Sequence, residues 1–192
     1  MIKSSIGEKM HEKELKIIQV AIALFNKTSY TNVGINKIIQ EADVAKMTFY
    51  KYFPSKMILI EKCIKYICDT AKQNLETLIE NENNALNKLK SLYKWYDIWF
   101  CSENFYGCLL GKVIGEYPDN LTIRKTVTDY KLWFINFITM ILDEMKLDDN
   151  EKKAFKIVIV LEGATSLHNI FKVDESLISS WEIIKLIIDN KF

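Results

Sequence analysis

Apolar residues recur at helical spacing along almost the whole chain. In residues 8–26, for example, Leu15, Ile18, Ile22 and Phe25 fall three or four positions apart, which predicts an amphipathic helix. The same spacing predicts further helices over residues 34–42, 45–52, 55–79, 85–101, 108–117, 120–145, 150–171 and 175–190. Because only six Gly and two Pro interrupt this pattern, we expect an all-α fold of about nine helices.

The first three predicted helices all precede Ser55, which is a favourable N-cap for the long helix that follows. We therefore expect two domains. Residues 1–55 form a three-helix head, and residues 56–192 form a larger helical body.

The second and third helices, residues 34–42 and 45–52, are joined by a turn of a few residues. Two short helices at a sharp angle form the helix-turn-helix unit that places its second helix in the major groove of DNA. This arrangement favours a DNA-binding regulator over an enzyme.

The charge is unevenly distributed, although the net charge is only +1. Residues 1–60 contain nine lysines and five acidic residues, an excess of four positive charges. A basic head on an acidic body suits a protein whose head meets phosphate groups.

The head resembles the tetracycline-repressor (TetR-type) family of bacterial transcriptional regulators. The resemblance covers residues 17–60 and rests on Ala21, Leu24, Phe25, Tyr30, Ile38, Ala42, Val44, Thr48, Phe49, Tyr50, Tyr52, Phe53, Ser55 and Lys56, in the order and spacing of the family. The chain departs from the family where Asp43 replaces the usual Gly, although Asp tolerates turn conformations. It also has Val33 and Gly34 where the family usually opens the second helix with Thr or Ser.

The resemblance places the recognition helix at residues 45–52, and helical geometry sorts its residues. Val44, Phe49 and Phe53 belong to the buried side, which leaves the groove-facing candidates Ala45, Lys46, Met47, Thr48, Lys51 and Tyr52. Lys46 can donate to guanine and Met47 can contact a thymine methyl. Asn36, Lys37, Tyr50 and Lys56 resemble the family's phosphate-contacting positions.

The chain has a single arginine, Arg124, and it lies in the body. The head therefore lacks the bidentate arginine–guanine contact that is commonest in specific DNA recognition. We expect much of the DNA affinity to come from lysine–phosphate contacts with a steep salt dependence. Sequence choice would then rest on Lys46, Met47, Thr48 and DNA shape.

Aromatic residues are dense between residues 93 and 137, where core packing accounts for most of them. So many rings on three successive helices also favour an amphipathic ligand cavity, and proteins that resemble this one bind an effector among helices five to seven. The expected lining residues are Trp95, Trp99, Phe105, Tyr106, Trp133 and Phe137. Their low charge suits an apolar or aromatic effector, planar or cationic.

The last two helices carry more apolar residues than one face can bury within a monomer. TetR-like proteins pair these helices in a four-helix dimer interface. The expected interface residues are Phe155, Val158, Leu161, Leu167, Phe171, Leu177, Trp181, Ile184 and Ile188. Two-fold symmetry would require a roughly palindromic operator.

Other chemistry has little support in the sequence. Two histidines, His11 and His168, are too few for most metal or catalytic arrangements, and we expect no metal, no cofactor and no enzymatic activity. We expect buried, reduced cysteines, with a thiol switch between Cys101 and Cys108 as an alternative. Without a secretory signal or a long apolar run, we expect a cytoplasmic protein that does not enter membranes.

Two alternative functions stay open at this stage. One is a small-molecule-binding or sequestering protein whose head no longer reads DNA. The other is a helical enzyme, for which the aromatic segment offers only Asp97, Glu103 and Glu116 as ionisable groups.

Overall fold

The computed structural model describes residues 10–173 and 175–189. Over these residues the chain forms nine helices and no strand: α1 Glu12–Lys27, α2 Ile35–Ala42, α3 Lys46–Tyr52, α4 Lys56–Glu80, α5 Ala85–Phe100, α6 Leu109–Glu116, α7 Leu121–Asp143, α8 Asn150–Phe171 and α9 Glu175–Ile188. The all-α prediction is confirmed. The predicted helix limits at Glu8 and Asn190 lie outside the described residues.

The chain divides into two compact units, one ending at Tyr66 and the other beginning at Ile67, so α4 contributes residues to both. The predicted domain boundary after Ser55 stays a prediction. Ser55 does cap α4 as expected, because its hydroxyl oxygen accepts a hydrogen bond from the Ile58 N–H at 3.2 Å.

In the first unit, α2 and α3 pack against α1. The core is formed by apolar side chains with no solvent exposure, from α1 to the first turns of α4: Ile17, Ile18, Ala21, Phe25, Tyr30, Ile38, Ala42, Phe49, Phe53, Leu59, Ile60, Cys63 and Ile64. Two contacts fix the start of α4 on α1. Lys62 pairs with Glu14 at 2.6 Å, and the Cys63 thiol lies 3.9 Å from the carbonyl oxygen of Ile18.

In the second unit, α7 packs against α5, α6 and α8, and α8 packs against α9. The apolar face that the sequence predicts for α7 is buried over its whole length: Ile123, Val127, Tyr130, Phe134, Phe137 and Ile141. The prediction for α7 is therefore confirmed.

The helix α8 differs from the sequence expectation. Its length and composition alone would allow it to cross a membrane, whereas we expected no such run. This is weak evidence, because a helix packed between neighbours in a soluble protein has the same composition. Eight residues of α8, including Ile157 and Leu161, are buried in the unit.

Candidate DNA-binding and ligand-binding sites

The turn between α2 and α3 is built around Asp43, whose backbone is left-handed with φ 49° and ψ 56°. The Asp43 N–H donates to Gln40 O at 3.2 Å, and the Val44 N–H donates to Ile39 O at 3.3 Å. These bonds satisfy the last carbonyls of α2. The prediction that Asp43 preserves the turn is confirmed, since Asp is one of the few side chains that enter this conformation readily.

The helix α3 is anchored on one side and open on the other. Phe49 is fully buried, and its ring centroid lies 5.6 Å from that of Phe53. On the opposite side Lys46 and Lys51 are exposed, and Met47 is 86% exposed. A thioether and two ammonium groups are therefore exposed on a helix that is anchored on its other side, as groove contacts require.

The remaining residues predicted to face the DNA groove differ in their exposure to solvent. Ala45 is exposed at the N-cap of α3 and Thr48 is half-buried. Tyr52 is half-buried too, with its ring centroid 5.6 Å from that of His11 and beneath the Lys51 ammonium at 5.8 Å. Part of the Tyr52 ring therefore serves packing within the head.

Two of the predicted phosphate contacts already have partners inside the protein. Lys37 pairs with Glu41 at 2.6 Å on the surface, and this hydrogen bond with its charge lowers the pKa of the Glu41 carboxyl. The Lys56 ammonium donates to Thr31 O at 2.8 Å. Asn36 and Tyr50 are exposed. A phosphate would share or replace the Lys37 and Lys56 contacts.

The six predicted ligand residues fall into separate places in the second unit. Trp95 and Trp99 lie 5.7 Å apart between ring centroids, and Trp99 lies 5.1 Å from Phe105. The buried His168 stacks on Phe100 at 4.6 Å, and its Nδ1 lies 3.0 Å from Val173 O. These rings pack against one another, as we expect for the side chains of a hydrophobic core.

Trp133 and Phe137 lie elsewhere, in an open cleft of about 590 Å³ between α4, α5 and α7. Its lining is Glu76, Thr77, Ile79, Glu80, Lys88, Trp133, Asn136, Phe137 and Met140. Tyr106 is half-buried with the Lys112 ammonium 5.9 Å from its ring centroid. The spacing of aromatic residues did not indicate that Glu76, Glu80 and Met140 also line this cleft.

The buried hydroxyl groups of Tyr96 and Tyr130 are two further polar groups that the sequence did not single out. Burial raises the pKa of the Tyr96 and Tyr130 hydroxyls. Nearby groups, including Glu162, raise both pKa values further. Burial likewise raises the pKa of the Cys68 thiol to about 12, with a smaller contribution from Asp69. All these groups stay neutral at physiological pH.

The apolar surface of α8 and α9 differs from the predicted interface. Phe155, Leu167 and Phe171 are exposed as an interface requires. However, Val158, Leu161, Leu177 and Ile184 are buried within the unit, Trp181 packs against Tyr93 at 4.9 Å, and Ile188 is half-buried. Side chains buried within the unit offer no surface to a second chain. The exposed apolar side chains of α8 and α9 are Phe155, Ile159, Leu167, Ile170, Phe171, Ile178 and Leu186, and the dimer interface itself stays a prediction.

Metal ligation and disulfide bonding have no support in the described ranges. No group of three His, Cys, Asp or Glu side chains there could hold a metal ion. All four cysteines are free, with Cys63 and Cys68 buried, Cys108 half-buried and Cys101 exposed.

Comparisons with known proteins agree with this helix-turn-helix geometry. Residues 17–63 match the sequence model of "Bacterial regulatory proteins, tetR family". The chain is 35% identical over 89 residues to YuxN, an uncharacterized HTH-type transcriptional regulator of Bacillus subtilis, and 30% identical over 106 residues to a similar regulator of Lactococcus lactis. The matches cover 44% and 53% of this chain but only 31% and 53% of those relatives.

Solved structures show the same fold over nearly the whole chain. A TetR-family transcriptional regulator from Streptomyces coelicolor superposes with a TM-score of 0.87 at 19% identity, covering 93% of this chain and 95% of its own. Reduced NemR of Escherichia coli gives 0.84 at 19% identity, covering 92% and 98%. The fold and head define a helix-turn-helix protein, and residues 17–63 carry the sequence pattern of the tetR family of bacterial regulatory proteins.

Proposed function

We propose that this protein is a cytoplasmic transcriptional repressor that binds a palindromic operator as a dimer and is released by a small effector. The observation that carries the proposal is the exposure of Lys46, Met47 and Lys51 on a helix whose other side is anchored by Phe49. One relative, 36% identical over 59 residues, is the transcriptional repressor KstR of Mycolicibacterium smegmatis.

Dimerisation through α8 and α9 is supported by their exposed apolar side chains. Phe155, Ile159, Ile170 and Phe171 are each more than half exposed. Exposed apolar surface of this kind marks interaction sites on soluble proteins. A two-fold axis through this surface relates two copies of α3, which would read two half-sites one helical turn apart.

Release by an effector is supported by the continuity of α4. Residues of α4 belong to both compact units, so a ligand held at its C-terminal half can favour one arrangement of the helix over another. The ligand shifts operator binding only by the difference between its affinities for the two arrangements.

Fluorescence anisotropy of labelled DNA from the region flanking the gene tests this function. We expect saturable binding that exceeds a scrambled DNA control at two salt concentrations, with two protomers per site. Binding that equals the control and vanishes with salt would contradict specific recognition of that DNA.

A further inference from the structure

We propose that the cleft between α4, α5 and α7 binds an organic cation with an aromatic or aliphatic body. Its effect on DNA rests on the proposed function, whereas the binding itself does not. The cleft volume of about 590 Å³ lies within the range of small-molecule sites.

The apolar part of the cleft is a pair of stacked rings. Trp133 and Phe137 lie 5.1 Å apart between centroids with planes inclined by 24°, and Met140 lies beside them one turn further along α7. Stacked aromatic faces together with a polarizable thioether suit a flat or bulky hydrocarbon body.

The polar part of the cleft is acidic. Glu76 and Glu80 stand one helical turn apart on α4, line the same cleft and are exposed. No ion pair found within residues 10–173 and 175–189 includes either carboxylate. Lys88, the basic residue of the lining, pairs with Glu144 at 2.5 Å. An incoming cation would therefore find two carboxylates, and an anion would be repelled.

The ring of Trp133 already accepts a cation in the protein itself. The ammonium of Lys72 lies 5.4 Å from the Trp133 ring centroid. Its position shows that this ring can be reached by a positive charge, since the π face attracts cations. A ligand cation would compete with Lys72 for the ring, and removal of Lys72 should therefore strengthen binding of the ligand.

Calorimetric titration of the full chain with three probes tests the site. The probes are benzyltriethylammonium, the neutral 4-phenyl-1-butanol and the anionic 4-phenylbutyrate. We expect saturable binding of the cation, about tenfold weaker binding of the alcohol and no binding of the anion. Equal binding of the cation and the alcohol would overturn the proposal, as would no binding of the cation.

Matched variants locate the binding. Glu76→Gln and Glu80→Gln should each weaken cation binding about tenfold, and Lys72→Met should strengthen it. Glu103→Gln is the control, because Glu103 is exposed outside the cleft. Thermal unfolding of each variant confirms that it is folded. Unchanged affinity in both glutamine variants of α4, or weaker binding in Lys72→Met, would contradict the assignment.

The same probe separates this proposal from the proposed function. If benzyltriethylammonium binds through Glu76 and Glu80 but leaves operator binding unchanged, the cation site stands and effector release fails. If the protein binds operator but not the cation, the site fails and DNA recognition stands.

Discussion

The backbone N–H of Val44 donates to the carbonyl oxygen of Ile39 at 3.3 Å, reaching around the left-handed Asp43. This bond ends α2 and sets the direction in which α3 begins. The position of Lys46 and Met47 therefore depends on one residue with a positive φ angle.

Substitution of Asp43 should change stability in a direction set by backbone conformation. Asp43→Val should lower the free energy of unfolding by about 1–2 kcal/mol, because a β-branched side chain is strained in the left-handed region. Asp43→Gly removes that strain and should unfold at an equal or higher urea concentration. Equal stability of the valine variant and the parent protein would show that the turn does not need this conformation.

The start of α2 lacks a side-chain cap. Gly34 stands at the N-cap with φ −80° and ψ 150°, and a Cβ atom added there meets nothing within 4 Å. Gly34→Ser should be more stable than Gly34→Ala by about 0.5–2 kcal/mol, since only the hydroxyl can accept from the open N–H groups of α2. Urea unfolding measures the difference, and identical midpoints for the two variants would rule out capping.

A charge on the apolar surface of α8 should separate the proposed dimer. Phe171 is 62% exposed, so Phe171→Glu should leave the helical content unchanged while sedimentation equilibrium shows a monomer. Leu132→Glu on α7 is the control, because Leu132 is 54% exposed outside α8 and α9. A Phe171→Glu protein that stays dimeric would place the interface elsewhere.

The buried thiols predict a loss of stability in alkali. Burial raises the pKa of Cys68 to about 12 from an ordinary value of 9.0, so the folded state holds this proton more tightly than the unfolded state. Its contribution to stability is complete below pH 9 and is lost as the pH rises towards 12. The buried Tyr130 acts in the same direction.

Urea unfolding at pH 8 and pH 10.5 measures this loss. Cys68→Ala should lose less stability between the two pH values than the parent protein. Cys101→Ala should behave like the parent, because Cys101 is exposed. If Cys68→Ala and the parent protein lose the same free energy, titration of Cys68 does not contribute.

The sequence was sufficient to predict the helices and the inner faces of most of them. Apolar residues recur every three or four positions along α7, so its buried face follows from this spacing alone. The same reasoning failed on α8, where apolar residues occur on every side. There the packing of α7 and α9 decides that Leu161 is buried and Ile170 exposed, and no local pattern carries that information.

The ligand residues show a similar limit. The density of aromatic residues in the sequence does not show which rings pack against one another and which line a cleft. Trp99 packs on Phe105, whereas Trp133 lines a cleft with Glu76 and Glu80 from α4, which lies more than fifty positions earlier in the chain. Contacts between residues so far apart in sequence depend on tertiary packing.

Recognition of DNA by α3 is tested most directly by the operator affinity and selectivity of Lys46→Ala at two salt concentrations. We predict a loss of about tenfold or more in the ratio of operator to scrambled-DNA affinity, because Lys46 is exposed on α3 and its ammonium can donate to base edges. The control Lys16→Ala removes an exposed lysine of α1 and should retain that ratio. A Lys46→Ala protein that binds the operator as tightly and as selectively as the parent would contradict recognition by α3.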